Sequence, residues 1–149
     1  MADTIVVGTD GSDSAKQAVA EAVRVAKALD AELHIVSAFE PLRGPHIKGV
    51  PDEAARVWQP YPDSQVEGIL GEAESEIRDT GVKTTTHATE DDHPADALLR
   101  VADEVGATLI VVGNRGMHSG LRRFVLGSVP DNVSHHARCN VLIVATDSE

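Results

Sequence analysis

The feature that most constrains this chain is a regular exchange between two hydrophobic periods. Short runs rich in β-branched residues stand at Thr4–Gly8 (TIVVG), Glu32–Ala38 (ELHIVSA), Thr108–Val112 (TLIVV) and Asn140–Thr146 (NVLIVAT). Runs of this length with few polar residues read as strands covered on both faces. Between them the apolar residues return every three or four positions, as on the inner stripe of a helix. Ser12–Leu29 carries Ala15, Ala18, Val19, Ala22, Ala26 and Leu29 on such a stripe, with Ser12 or Ser14 as N-cap. Ser64–Thr80 carries Val66, Ile69, Leu70, Ala73 and Ile77, with Gly81 as its stop. A third helix opens at Pro94 and aligns Ala97, Leu98, Val101, Ala102 and Val105. Val82–Ala88 alternates weakly, like an edge strand, and Leu126–Arg138 reads as a short helix.

Strands separated by helices pair in parallel, so the expected class is α/β: an open five-stranded parallel sheet with helices on both faces. Right-handed crossovers make two neighbouring strands send their connections in opposite directions. Ligands of such sheets bind there, outside the carboxyl ends of the strands. Residues 41–63 break the rhythm, holding Pro41, Pro45, Pro51, Pro60 and Pro62 with Trp58 and Tyr61. They read as a long irregular connection with one helical turn at Asp52–Val57. Its expected role is a lid over the ligand anchored by Trp58, or else a cover for a sheet edge or a partner.

Composition narrows the function classes. The 149 residues fit one domain spanning 1–149, and only Phe39, Trp58, Tyr61 and Phe124 are aromatic, which leaves Val, Ile, Leu and Ala to build the core. Twenty-four acids against 13 bases give a net charge of −11, which repels nucleic-acid backbones and anionic membranes; neither is an expected partner. Cys139 is the lone cysteine, so no internal disulfide forms, and the first residues lack a secretion signal. No apolar run reaches the roughly 18 residues of a membrane span. The expected compartment is the cytoplasm.

Two hinges at strand carboxyl ends carry the candidate chemistry. Gly8-Thr9-Asp10-Gly11-Ser12 follows the first strand, and Gly113-Asn114-Arg115-Gly116 follows the fourth. With ten residues between it and Gly116, Gly127-Ser128-Val129 opens a helix. A helix start offers free N–H groups and the positive end of the dipole to an anion, and Ser128 adds a hydroxyl. No acid lies between Glu104 and Asp131, whereas Arg115, Arg122 and Arg123 do. Phosphate binding is the expected use of this segment, against a reading as plain turns beside a solvated basic face. Asp10 has two readings on its residues alone: a carboxylate for ribose hydroxyls or a divalent cation, or a local Asx-turn. G-x-x-x-x-G-K-[ST] and G-x-G-x-x-G are both absent.

From VVGTDGSDSA to GSVPDNVSHHARCNVLIV the whole chain resembles the universal stress protein family. The specific part is G-x-x-G, nine residues and G-[ST], taken with the V-G-x-D-G-S segment. The resemblance implies strand order 3-2-1-4-5, binding of ATP, AMP or a cyclic nucleotide (with Mg²⁺ alongside ATP), and a homodimer through the fifth strand, Asn140–Thr146. Carried onto this sequence, the site would comprise Thr9, Asp10, Ala38, Val112, Gly113, Gly116, Gly127, Ser128 and Val129. Asp10 would stand near ribose and metal, Ala38 near adenine, and the glycines and Ser128 near the phosphates. Arg115 joins them on charge alone. The chain departs from the family spacing by one residue, with ten from Met117 to Leu126, and a bulge is expected at Ser119-Gly120.

The implied role is regulatory, in a stress response, with little or no catalysis. Two alternatives stand beside it: a slow ATP-hydrolysing enzyme, and a nucleotide-free interaction module of the same fold. Thr9–Ser14 partly echoes the S-G-G-x-D-S loop of ATP pyrophosphatases, but Asp10 replaces a glycine that must approach pyrophosphate. A receiver domain would need a lysine after the last strand, where Thr146-Asp147 stands.

Overall fold

The computed structural model describes residues 3–39, 62–90, 93–114 and 128–146. Their strands are β1 (Thr4–Gly8), β2 (Glu32–Phe39), β3 (Thr84–Glu90), β4 (Leu109–Gly113) and β5 (Asn140–Val144). The helices are α1 (Asp13–Leu29), α2 (Pro62–Ile77), α3 (Pro94–Val105) and α4 (Ser128–His136), with a 3₁₀ turn at Arg78–Thr80 after α2. All strand pairs are parallel, in the order β3-β2-β1-β4-β5. Both the α/β class and the strand order match the expectation.

Strand alternation divides the core into two layers. Ile5, Val7, Leu33, Ile35 and Val111 point to one face, where Ala18, Val19, Ala22 and Ala26 of α1 and Leu70, Ala73 and Ile77 of α2 cover them. Val6, Val36, Ile110 and Val112 point to the other, under Leu98, Val101 and Ala102 of α3 and Val133 of α4. The alanine stripe of α1 lets its backbone lie close to the sheet. α1 and α2 therefore serve the connections running toward β3, and α3 and α4 those running toward β5. The reversal falls between β1 and β4, which locates the crevice where such sheets bind ligands.

Helix ends follow local chemistry. Ser12 is the N-cap of α1, its Oγ accepting from the Ala15 N–H at 3.2 Å, while Ser14 is buried. α2 starts at Pro62, ahead of the predicted Ser64, because proline fits a first turn that needs no N–H. β3 runs two residues later than predicted, since its seven-residue register with β2 extends to Phe39–Glu90. α4 starts at Ser128 and stops at His136, inside the predicted 126–138 span. The lid expected over 41–63, with its Asp52–Val57 turn and Trp58, lies outside the described residues apart from the start of α2. Among the described residues no helix is long and apolar enough to cross a membrane.

Candidate functional site

The site is built where β1, β2 and β4 end side by side. Val7 is in register with Val111 and Gly8 with Val36, so Gly8 and Gly113, which end β1 and β4, and Ala38, the residue before the last of β2, lie at one edge of adjacent strands. Gly8 admits Leu98 of α3, whose Cδ1 would lie 3.0 Å from a Cβ placed there. Val112 is buried, and Gly113 and Ala38 are half-buried.

Four hydrogen bonds turn the chain from β1 into α1. The Thr9 N–H donates to the Val36 carbonyl at 2.9 Å. The Thr9 Oγ1 accepts from the Gly11 N–H at 3.1 Å, and the Asp10 Oδ1 accepts from the Ser12 N–H at 2.9 Å. The Ser12 cap completes the set. Gly11 adopts φ +80, and an added Cβ would lie 2.9 Å from Ile69 Cγ1 of α2. Asp10 thus carries its local Asx-turn role while remaining exposed at the mouth of the crevice. Lys16 and Glu72 pair across α1 and α2 at 3.2 Å close by, and that hydrogen bond raises the lysine pKa above its ordinary value.

The hinge after β4 is tied to the end of β5. The Asn114 N–H donates to the Val144 carbonyl at 3.0 Å. Its Oδ1 accepts from the Thr146 N–H at 3.1 Å and the Thr146 hydroxyl at 2.7 Å. Thr146 is buried, so the Asn114 side chain holds the hinge after β4 against the sheet from within. Sequence reading passed over that role, although an Asn beside a strand-end glycine is a residue suited to replacing backbone partners. It passed over a second contact as well: His34 Nδ1 and His87 Nε2 lie 2.8 Å apart, which only the β2–β3 register reveals.

α4 begins at Ser128, exposed, and Val129, half-buried, and packs against α3, β4 and β5. Asp131 sits in its first turn and pairs with His135 at 3.4 Å. Thr9, Asp10, Ala38, Val112 and Gly113 are therefore gathered at one edge. Arg115, Gly116 and Gly127, with the Met117–Leu126 spacer and its bulge, lie outside the described residues. No group of three or more His, Cys, Asp or Glu suited to a metal occurs among the described residues. Cys139 is a half-buried thiol whose pKa is pushed up by burial, then by Asp103, which makes it a poor nucleophile at neutral pH.

The sequence model of the universal stress protein family matches residues 1–145. The chain belongs to that family. Universal stress protein Rv1636 of Mycobacterium tuberculosis is 42% identical over 147 residues, covering 96% of each chain. A universal stress protein solved in complex with cAMP is 36% identical, covers 97% of this chain and 98% of its own, and superposes with a TM-score of 0.71. A universal stress protein from Archaeoglobus fulgidus in complex with dAMP is 26% identical over 95% of this chain and 96% of its own, with a TM-score of 0.65. All the described strands and helices of this universal stress protein fall within the matched residues.

Proposed function

We propose that this universal stress protein binds an adenine nucleotide at the carboxyl edge of β1, β2 and β4 and acts as a regulator with little or no catalysis. The observation that carries this reading is the convergence of both hinges at the β1/β4 reversal. Relatives of the same fold solved with cAMP and dAMP support it. Ala38 would meet the base through its backbone, and Thr9 and Asp10 would face the ribose. Val112 and Gly113 would floor the crevice. Arg115, Gly116, Gly127, Ser128 and Val129 would surround the phosphates, where the start of α4 presents N–H groups and a positive dipole end. With ATP, Asp10 would supply one oxygen to Mg²⁺, which offsets phosphate charge. Whether ATP, AMP or a cyclic nucleotide fits best depends on the phosphate segment.

Calorimetric titration with ATP, AMP and cAMP tests the reading. At least one is expected to bind, and Asp10→Ala to weaken it roughly tenfold, the effect of losing a hydrogen bond to a charged group. Absence of heat with all three at millimolar concentration overturns the proposal. Turnover of many ATP molecules per chain, lost in Asp10→Ala, would favour the enzyme instead.

We read residues 1–149 as one cytoplasmic domain that pairs with a second copy through β5. β5 is the outer strand, with Val141, Leu142 and Val144 half-buried and Ile143 36% exposed. An apolar edge of this kind invites pairing, which a twofold axis closes. Ile143→Lys is expected to sediment as a monomer with its far-UV spectrum unchanged, whereas a persistent dimer would place the interface elsewhere. Nucleic acid and membrane are not proposed partners of so acidic a chain.

A further inference from the structure

We propose that His34 and His87 form a proton-operated latch on the edge strand, whose second proton opens the seam between β2 and β3. The inference is independent of nucleotide binding. Register places His34 opposite Thr85 and Val36 opposite His87, so the two imidazoles are diagonal neighbours on one face of the sheet. Their rings stand 5.1 Å apart, tilted by 32°, with the facing nitrogens at 2.8 Å. That separation is a hydrogen bond, in which one neutral ring donates and the other accepts. Among the described residues β3 is the last strand on its side and pairs only with β2. α2 packs on both strands from the opposite face, and on the histidine face α3 lies over β1 and β2. The imidazole pair is therefore a fastening of β3 on that face.

Among the described residues the charges around the pair are few. On β2, Glu32 Oε2 lies 3.9 Å from His34 Nε2, and the same carboxylate holds Lys83, just before β3, at 2.6 Å. From α3, Glu104 favours a proton on His87, and Arg100 Nε stands 3.9 Å from that carboxylate. β1 contributes only Val6, the apolar register partner of His34. Burial, and for His34 also the neighbouring His87 and then Lys83, hold both imidazoles below the ordinary histidine range, against the pull of Glu32 on His34 and Glu104 on His87.

Proton counting turns this geometry into a threshold. One added proton leaves the bridge intact, because a charged ring donates to a neutral one. A second leaves a hydrogen on both facing nitrogens, and the contact becomes a repulsion. The unfolded chain binds protons near pH 6.5 and the folded pair only below that. The pair's contribution to stability is thus complete above about pH 6.5 and disappears as the pH falls through the folded values.

Hydrogen exchange of the intact protein near pH 7.5 and pH 5, corrected for intrinsic rates, reads the latch locally. Protection of the Thr84–Glu90 amides is expected to drop by roughly tenfold or more on acidification while β1 and β4 stay protected, the mark of a sub-global opening. His87→Gln, neutral with similar reach, is expected to abolish that dependence. Histidine proton resonances of the unmutated protein should titrate in two separated steps, both below 6.5. An unchanged pH dependence in His87→Gln, uniform loss of protection across the sheet, or independent titration of the two rings at the ordinary value overturns the proposal.

Discussion

Gly11→Val is expected to lower stability by about 3 kcal/mol and to weaken any ligand held by the β1 hinge. Two penalties add. The first is conformational: Gly11 sits at φ +80, where a β-branched residue is strained by roughly 1–2 kcal/mol. The second is steric, because the new Cβ would lie 2.9 Å from Ile69 Cγ1, and crowding a packed contact costs about 1–3 kcal/mol. Moving Ile69 disturbs α2, and relaxing φ pulls the Gly11 N–H away from Thr9 Oγ1. Urea unfolding should show a lower midpoint at an unchanged slope. Gly11→Asn, which tolerates the left-handed region, should recover part of the first penalty and none of the second. Equal stability of all three proteins would contradict this account of the hinge.

Ile5→Ala should be at least as damaging, with a loss of about 3 kcal/mol that falls on stability alone. Ile5 is 0% exposed on β1, flanked in register by Leu33 of β2 and Leu109 of β4. Its face of the sheet lies under α1, where Ala18, Ala22 and Ala26 have little side chain with which to refill a void. The cavity therefore stays open, and its walls lose dispersion contacts as well as hydrophobic burial. Thermal unfolding should move down by roughly 10 °C for a chain of this size. A shift below 2 °C would mean that the core repacks around the truncation.

The legible part of this protein is the part governed by neighbours in sequence. Ile5, Val6 and Val7 announce a strand with two covered faces because consecutive side chains point opposite ways and all three are apolar. The alanine stripe of α1 and the first-turn proline of α3 speak as directly. The two hinges were legible too, since glycine after a strand and Ser12 before a helix are signals of a few residues. β3 was legible only as a weak alternation, read two residues too early because pairing with β2 sets its bounds.

By itself the sequence determined the order of elements, the two-sided burial of the central strands and the two glycine hinges, because each rests on spacing within one segment, whereas the individual site residues are what the family resemblance implies. The tertiary structure decided the rest. It put the hinges after β1 and β4 beside each other, committed the Asp10 oxygen to a turn, joined Asn114 to Thr146 and brought His34 to 2.8 Å from His87. Those outcomes depend on strand register and on which helix covers which face. Both are fixed by contacts between residues far apart in the chain, which no local period encodes.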